Sequence, residues 1–220
     1  GPMRSFLLAS LLSTSVFIPS EWVNTASLPP SIINQVERSL VRLTYPVEGV
    51  NFFTGEPQTM HFTCSGFVIG NDSRFVDGDL MVFSTILSDN HCLPPKAVEG
   101  EKQIDMIVDT YYTATILKVD EQDDLAILEA AMTKPPLKAR NGSVMRGTSV
   151  FSFGFGFGLD THLFLAHIVA APLALIAEGY TPGMLVSPAY IPGMSGGPVV
   201  EDQGRVVSIV QASNNNIGYG

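Results

Sequence analysis

The chain has 220 residues, 45% of them hydrophobic and 15% charged, with 20 Gly, 15 Pro and a net charge of −9. That length buries one large core or two small ones without metals or a disulfide lattice, and the low charge and ample aliphatic content exclude a disordered chain. With 21 Asp+Glu against 12 Lys+Arg and no basic stripe, composition argues against a nucleic-acid partner, whose backbone affinity comes from counterions released around Lys and Arg.

Gly1-Pro2 ahead of Met3 resembles a scar of tag removal and is set aside. Residues 6–18 are apolar but broken by Ser10, Ser13, Thr14 and Ser15. They are short for a membrane span and long enough for a signal-peptide core, with cleavage conceivable near Ala26; the alternative is an amphipathic piece docked on the body. Residues 1–30 thus read as tag remnant and apolar leader or docking segment.

A short helical pattern at 32–38 runs into alternating strand patterns at 40–45, 61–70, 80–85, 104–108, 111–119 and 125–128, each bounded by turn residues. Residues 133–143 then hold Lys134, Lys138 and Arg140, the pair Pro135-Pro136 and an Asn141-Gly142 turn, which reads as an exposed connector. Further strand candidates follow at 149–153, 163–170, 184–187, 197–200 and 205–211. Evenly spaced short strands point to an all-β protein of two units, 31–132 and 144–220, rather than to βαβ repeats.

The sharpest motif is Gly193-Met194-Ser195-Gly196-Gly197-Pro198. A serine hydroxyl needs a base to take its proton and N–H donors for the oxyanion formed on attack. Glycines around it permit a tight turn whose Gly193 and Ser195 amides converge on one point. Two cysteines, Cys64 and Cys92, are too few for a disulfide scaffold or a zinc site; one bridge between them would close a loop of about 29 residues and contribute roughly 3–4 kcal/mol.

This region resembles the trypsin-like serine peptidases of the chymotrypsin fold, and most closely their HtrA/DegP-like branch. The motif, followed by Gly204-Arg205-Val206-Val207-Ser208-Ile209, looks like the family's nucleophile loop and next strand. Residues 147–170 look like the start of its second barrel, and Asp123-Asp124-Leu125-Ala126-Ile127-Leu128 like the segment of the orienting acid, which maps onto Asp124. The resemblance covers most of residues 31–213. It implies two six-stranded antiparallel β-barrels with the active site in the cleft between them, and a serine endopeptidase working without a cofactor.

The base admits two registers. If the strand at 80–85 runs straight into the base, that position holds Ile86 and the chain is a catalytically silent binding module. If Ile86-Leu87-Ser88-Asp89-Asn90-His91-Cys92 matches the animal-trypsin segment ending in His-Cys, His91 is the base and Cys64 stands in the matching place to bridge Cys92. The second register needs about ten extra residues within 70–85. It gives the chain order His91, Asp124, Ser195 of the chymotrypsin-type triad, and is the one adopted here. Asp123 is the alternate orienting acid, facing the other way if the segment is extended.

The resemblance also implies a primary pocket with Ala189 at its floor, beside Gln211, Ala212 and Ser213, hence small or medium apolar side chains before the cleaved bond rather than Lys or Arg. Met194 replaces the aspartate that receives a liberated amino terminus in trypsins. The implied partner is a protein or peptide substrate, without nucleic acid or membrane apart from a leader, and HtrA-like trimers are left open. A secreted or periplasmic location follows, with a cytoplasmic one as the alternative; a viral or phage processing peptidase is a further reading. His61, His162 and His167 lack metal-ligand spacing and read as structural, as do the glycines of 154–158, which read as a barrel corner. Asn71-Asp72-Ser73 and Asn141-Gly142-Ser143 fit the glycan acceptor pattern.

Overall fold

The computed structural model describes residues 27–174, 183–214 and 217–219; the leader or docking segment expected at the amino end lies almost wholly outside them. The body opens with helix α1 (Pro30–Glu37), started by a proline in its first turn and burying Val36. Six strands follow: β1 (Leu40–Val50), β2 (Pro57–Val76), β3 (Asp79–Ser88), β4 (Lys102–Val108), β5 (Tyr112–Asp120) and β6 (Leu125–Ala130). They close into an antiparallel barrel in the order β1-β2-β3-β6-β5-β4. Alternation dictates which way they face: in β6, Ala126, Leu128 and Ala130 are buried and the residues between them are partly exposed.

The second unit comprises β7 (Ser149–Gly154), β8 (Leu163–Ala174), β9 (Gly183–Ser187), β10 (Pro198–Val200), β11 (Val206–Ile209), β12 (Ala212–Asn214) and β13 (Ile217–Tyr219). Among the described residues these form one sheet in the order β11-β10-β7-β8-β9-β13-β12. The all-β, two-unit architecture is as expected. The second unit departs from the expected six-stranded barrel: its described strands form a sheet that is not closed and has seven strands, β11-β10-β7-β8-β9 plus the hairpin β12–β13, which joins β9 through Gly218↔Val186 and Tyr219↔Leu185.

Among the described residues, three apolar clusters hold the fold together. One fills the closed barrel, with Val41, Val68, Ile86, Met106, Ile116 and Leu128. A second lies under the other sheet, with Val150, Val169, Val186, Met194 and Val199. The third joins the units: Leu40 and Phe67 from the barrel meet Phe151, Phe153, Phe155 and Val200 from the sheet, with Leu28 and Val36 alongside. The stretch 133–143 is exposed for most of its length, yet it is tied at both ends of its course. Leu137 N donates to Val68 O at 2.9 Å, while Arg140 N donates to Val206 O and Val206 N to Lys138 O, both at 2.8 Å.

The β2–β3 hairpin explains the length of the segment before His91. Its outer part pairs Gly70 with Thr85 and continues to Val76 opposite Asp79. The connecting Asp77-Gly78 both have positive φ, 51° and 91°, the geometry of a two-residue hairpin turn that matches strand twist. Ile86 lies inside this barrel, fully buried and paired across to Val68 and Leu128.

Candidate active site

Beyond β3 the chain turns through Asn90–Cys92, a single 3-10 turn. Three hydrogen bonds from the turn before β6 fix it. Asn90 N donates to Asp124 O at 3.1 Å, His91 N donates to Asp124 Oδ1 at 2.8 Å, and His91 Nδ1 lies 2.6 Å from Asp124 Oδ2. Asp124 holds this pose at φ 52°, a conformation that Asp tolerates better than most residues because its short side chain bonds locally. It sits in a turn, so strand alternation does not separate it from Asp123. What distinguishes them is partners: Asp123 N donates to Asp120 Oδ1 at 3.0 Å, and Asp123 O accepts from Gln211 Nε2 at 2.9 Å. Because the carboxylate only accepts, the Nδ1 of His91 carries the proton and Nε2 is left as the acceptor nitrogen.

Cys92, next in the chain, is bonded to Cys64 on β2. The disulfide pins the turn to the barrel wall and stands beside the glycine-rich turn that carries Ser195, with Cys92 Sγ 3.6 Å from Ser195 O. A ring nitrogen of His91 lies within 4.8 Å of both sulfurs, so imidazole, disulfide and Ser195 main chain share one small volume.

Residues 191–198 form the glycine-rich turn. Gly193 and Gly196 have φ of 90° and 85°, where a side chain would be strained. Space forbids one as well: a Cβ on Gly196 would come 2.1 Å from Ser65 O, and one on Gly197 2.0 Å from Phe153 O. The turn is clamped by the main chain, with Ser65 N donating to Ser195 O, Gly196 N to Val210 O and Phe157 N to Pro192 O, at 2.7–2.8 Å. Ser65 Oγ adds a bond to Gly193 O at 3.1 Å and accepts one from Phe155 N at 2.8 Å. The Ser195 hydroxyl is turned toward Gln211 O, 3.5 Å away. Met194 is fully buried in the apolar cluster of the second unit.

Ala189 is half-buried between Pro188 and Tyr190. Behind it lies His167, whose Nδ1 donates to Pro188 O at 2.7 Å and whose Nε2 accepts from Ser152 Oγ at 2.6 Å. Burial holds this imidazole below its ordinary range, and the Tyr190 ring meets it edge-on at 5.0 Å. His167 is a doubly bonded structural group. Gln211 reaches across to the Asp124 turn; Ala212 and Ser213 lie on β12, opposite Tyr219 and Gly218.

Asp89 is the residue that the sequence did not single out. Its side chain is 0% exposed, and Oδ2 lies 3.8 Å from His91 Nδ1. Burial, and next the Asp124 charge, push its carboxyl up to about 9, against a smaller pull from the Gly196 N–H. Asp89, His91 and Asp124 gather ligand atoms within 4.8 Å, as do Cys64, His91 and Cys92. The disulfide consumes the two thiolates, and a neutral Asp89 leaves the other cluster one imidazole and one carboxylate, a poor donor set for a cation.

Residues 64–209, well over half of the chain, match the family described as "Trypsin-like peptidase domain". A "probable periplasmic serine endoprotease DegP-like" of Hahella chejuensis is 30% identical over 155 residues, 70% of this chain and 30% of that protein. The "magnetosome formation protease MamE" of Paramagnetospirillum magneticum is 37% identical over 111 residues, 48% of this chain and 15% of that protein. The chain therefore spans less than a third of the length of these two relatives. Among solved structures, an "HtrA-type protease AlgW with decapeptide" superposes with a TM-score of 0.64 at 16% identity, over 86% of this chain and 62% of that one. The M. tuberculosis protease Rv3671c, in an inactive form, gives 0.61 at 17% identity over 88% of each chain. Both likenesses show the fold, a chymotrypsin-type pair of β units. Together with the match over residues 64–209, they establish that this chain belongs to the trypsin-like peptidase family, close to its HtrA branch.

Proposed function

We propose that the chain is a serine endopeptidase that cleaves peptide bonds through an acyl-enzyme, with Ser195 as nucleophile, His91 as base and Asp124 as the orienting acid. The observation that carries this reading is the double grip of Asp124 on His91, through Oδ1 to the main chain and Oδ2 to Nδ1. That grip fixes the tautomer with Nε2 free to accept a proton. The Ser195 oxygen attacks the carbonyl carbon while its proton passes to Nε2. The carbonyl electron pair moves onto oxygen, where the Gly193 and Ser195 N–H groups face the new charge. Collapse expels the amine, which takes the proton from His91, and water repeats the cycle on the ester. The burial of Ile86 within the barrel supports His91 over Ile86 as the occupant of the base position.

The side chain at Ala189 carries no charge, which favours small or medium apolar residues before the cleaved bond. A peptide partner accords with the decapeptide bound by the structural neighbour. A secreted or periplasmic setting accords with the periplasmic relatives and with the Cys64–Cys92 bridge; among the described residues no helix is long and apolar enough to cross a membrane. Digestion of a mixed peptide library, with cut sites mapped by mass spectrometry, tests the reading. Cuts after Ala, Val or Leu at least tenfold above those after Lys or Arg, absent from S195A, are expected. Dominant cutting after Lys or Arg would contradict the pocket, and intact peptides throughout would contradict the peptidase.

A further inference from the structure

We propose that Asp89 is a positioning residue that works as a neutral carboxylic acid wedged between the His91–Asp124 pair and the nucleophile turn, and that its loss of a proton in alkaline solution switches the site off. The proposal rests on the reading of His91, Asp124 and Ser195 as the catalytic set.

Asp89 is the last residue before the 3-10 turn, so its main chain helps to place His91: Cys92 N donates to Asp89 O at 3.1 Å. Its side chain turns inward, away from water, and neither carboxyl oxygen has a hydrogen-bond partner of good geometry. The titratable groups that face it are His91, on its own turn, and Asp124, on the turn before β6. From the nucleophile turn it meets the Gly196 N–H, which already donates to Val210 O at 2.8 Å. The serines nearby are occupied too, Ser88 Oγ donating to Ser65 O at 2.7 Å.

An ionised Asp89 would have no donor of its own, since the Nδ1 proton of His91 is engaged by Asp124 at 2.6 Å. It would also stand beside a second carboxylate within 4.8 Å. A buried charge in that position is costly, and the group keeps its proton instead. The protonated acid fills the space behind the imidazole without adding charge, so Asp124 alone sets the electrostatics of His91. Removing the proton places a second negative charge 3.8 Å from Nδ1. That charge competes with Asp124 for the Nδ1–H of His91 and draws the imidazole away from the orientation that the Asp124 bond sets. It also presses on a turn with no room to yield, as the 2.1 Å approach of a Gly196 Cβ to Ser65 O shows.

The test is the pH dependence of kcat/KM for wild type, D89N and D89A, with the melting temperature of each followed over the same range. Wild type is expected to lose activity along a limb centred near pH 9, about tenfold per unit beyond it. D89N, which copies the shape and neutrality of the acid, moves that limb up by at least ~1 unit and leaves the acid limb in place. D89A loses roughly tenfold or more at pH 7 through poorer placement of His91, and D89N restores most of that loss. An alkaline limb shared by wild type and D89N, or an acid limb displaced in D89N, would overturn the proposal.

The melting series decides the point even without turnover. A folded-state value raised above the unfolded one means that the native chain holds the extra proton from about pH 4 to about pH 9. Wild-type stability therefore falls as pH rises across that window, and the advantage of D89N should grow from pH 5 to pH 9. A difference that stays constant over that range would overturn the neutral-acid assignment. Complete absence of peptide hydrolysis at every pH, with the growing difference intact, would instead sink the peptidase reading alone.

Discussion

The two halves of the site are held by different means. On the closed barrel, His91 is fixed by a side chain: Asp124 grips it twice, and the disulfide anchors the next residue. On the open sheet, Ser195 is fixed by its main chain and by missing side chains, with glycines at positive φ and neighbouring carbonyls where a Cβ would fall. On the proposed mechanism, one half is expected to be disabled by changing charge while the fold stays intact, and the other by adding a methyl group. In the proposed mechanism, orientation of the base depends on a hydrogen bond that can be edited atom by atom, and presentation of the nucleophile depends on packing, which resists any addition.

The largest effect that sharpens this contrast is expected from D124N. Exchange of one carboxylate oxygen for an amide keeps the shape and inverts the hydrogen bond to Nδ1. Turnover should fall on the order of 10⁴, by analogy with the chymotrypsin-type triad, while the melting temperature moves little, since His91 and Asp124 are 41% and 31% exposed. A comparable loss of stability would mean that the pair is structural. Next comes G196A, where an alanine must hold φ 85° against Ser65 O and Ser88 Oγ. The expected cost is roughly 2–4 kcal/mol of stability, measured by denaturant unfolding, with activity falling in parallel. If G196A were as stable as wild type, the close packing claimed for the nucleophile turn would fail.

Most of the scaffold was legible in the sequence because its strands are half-buried and so alternate. The elements at 125–128 and 184–187 are found within two residues of the pattern, the strand at 40–45 starts as expected but runs on to Val50, and the helix at 32–38 is α1 shifted by two residues or fewer at each end. The hairpin β12–β13 was missed because Ser213-Asn214-Asn215-Asn216 has the polarity of a loop and its strands are three residues long. The connector was read as exposed from its Lys, Arg and Pro content. Its ties to Val68 and Val206 run through main-chain groups, which composition does not reveal.

The site was legible unevenly. The glycine turn announced itself, because its backbone geometry restricts residue type. The pairing of His91 with Asp124 came through family resemblance, since 33 residues of intervening chain say nothing of distance. The rival register at Ile86 rests on the HtrA-like pattern of a strand that runs straight into the base; β3 begins one residue before the 80–85 pattern and runs to Ser88, with Ile86 on its inward face. Asp89 was invisible as a site residue. Asp inside the polar run Ser88-Asp89-Asn90 reads as solvent-exposed, and only the fold, by packing the glycine-rich turn at Gly196 against it, removes it from water.

The central claim is that the imidazole of His91 activates the hydroxyl of Ser195 across the cleft. Covalent labelling by a fluorophosphonate measures this most directly, because the probe reports attack by the serine oxygen without any assumption about substrate. Wild type is expected to be tagged at Ser195, with the tag lost in S195A and in H91A. Labelling of H91A at the wild-type rate would remove His91 as the base and contradict the account.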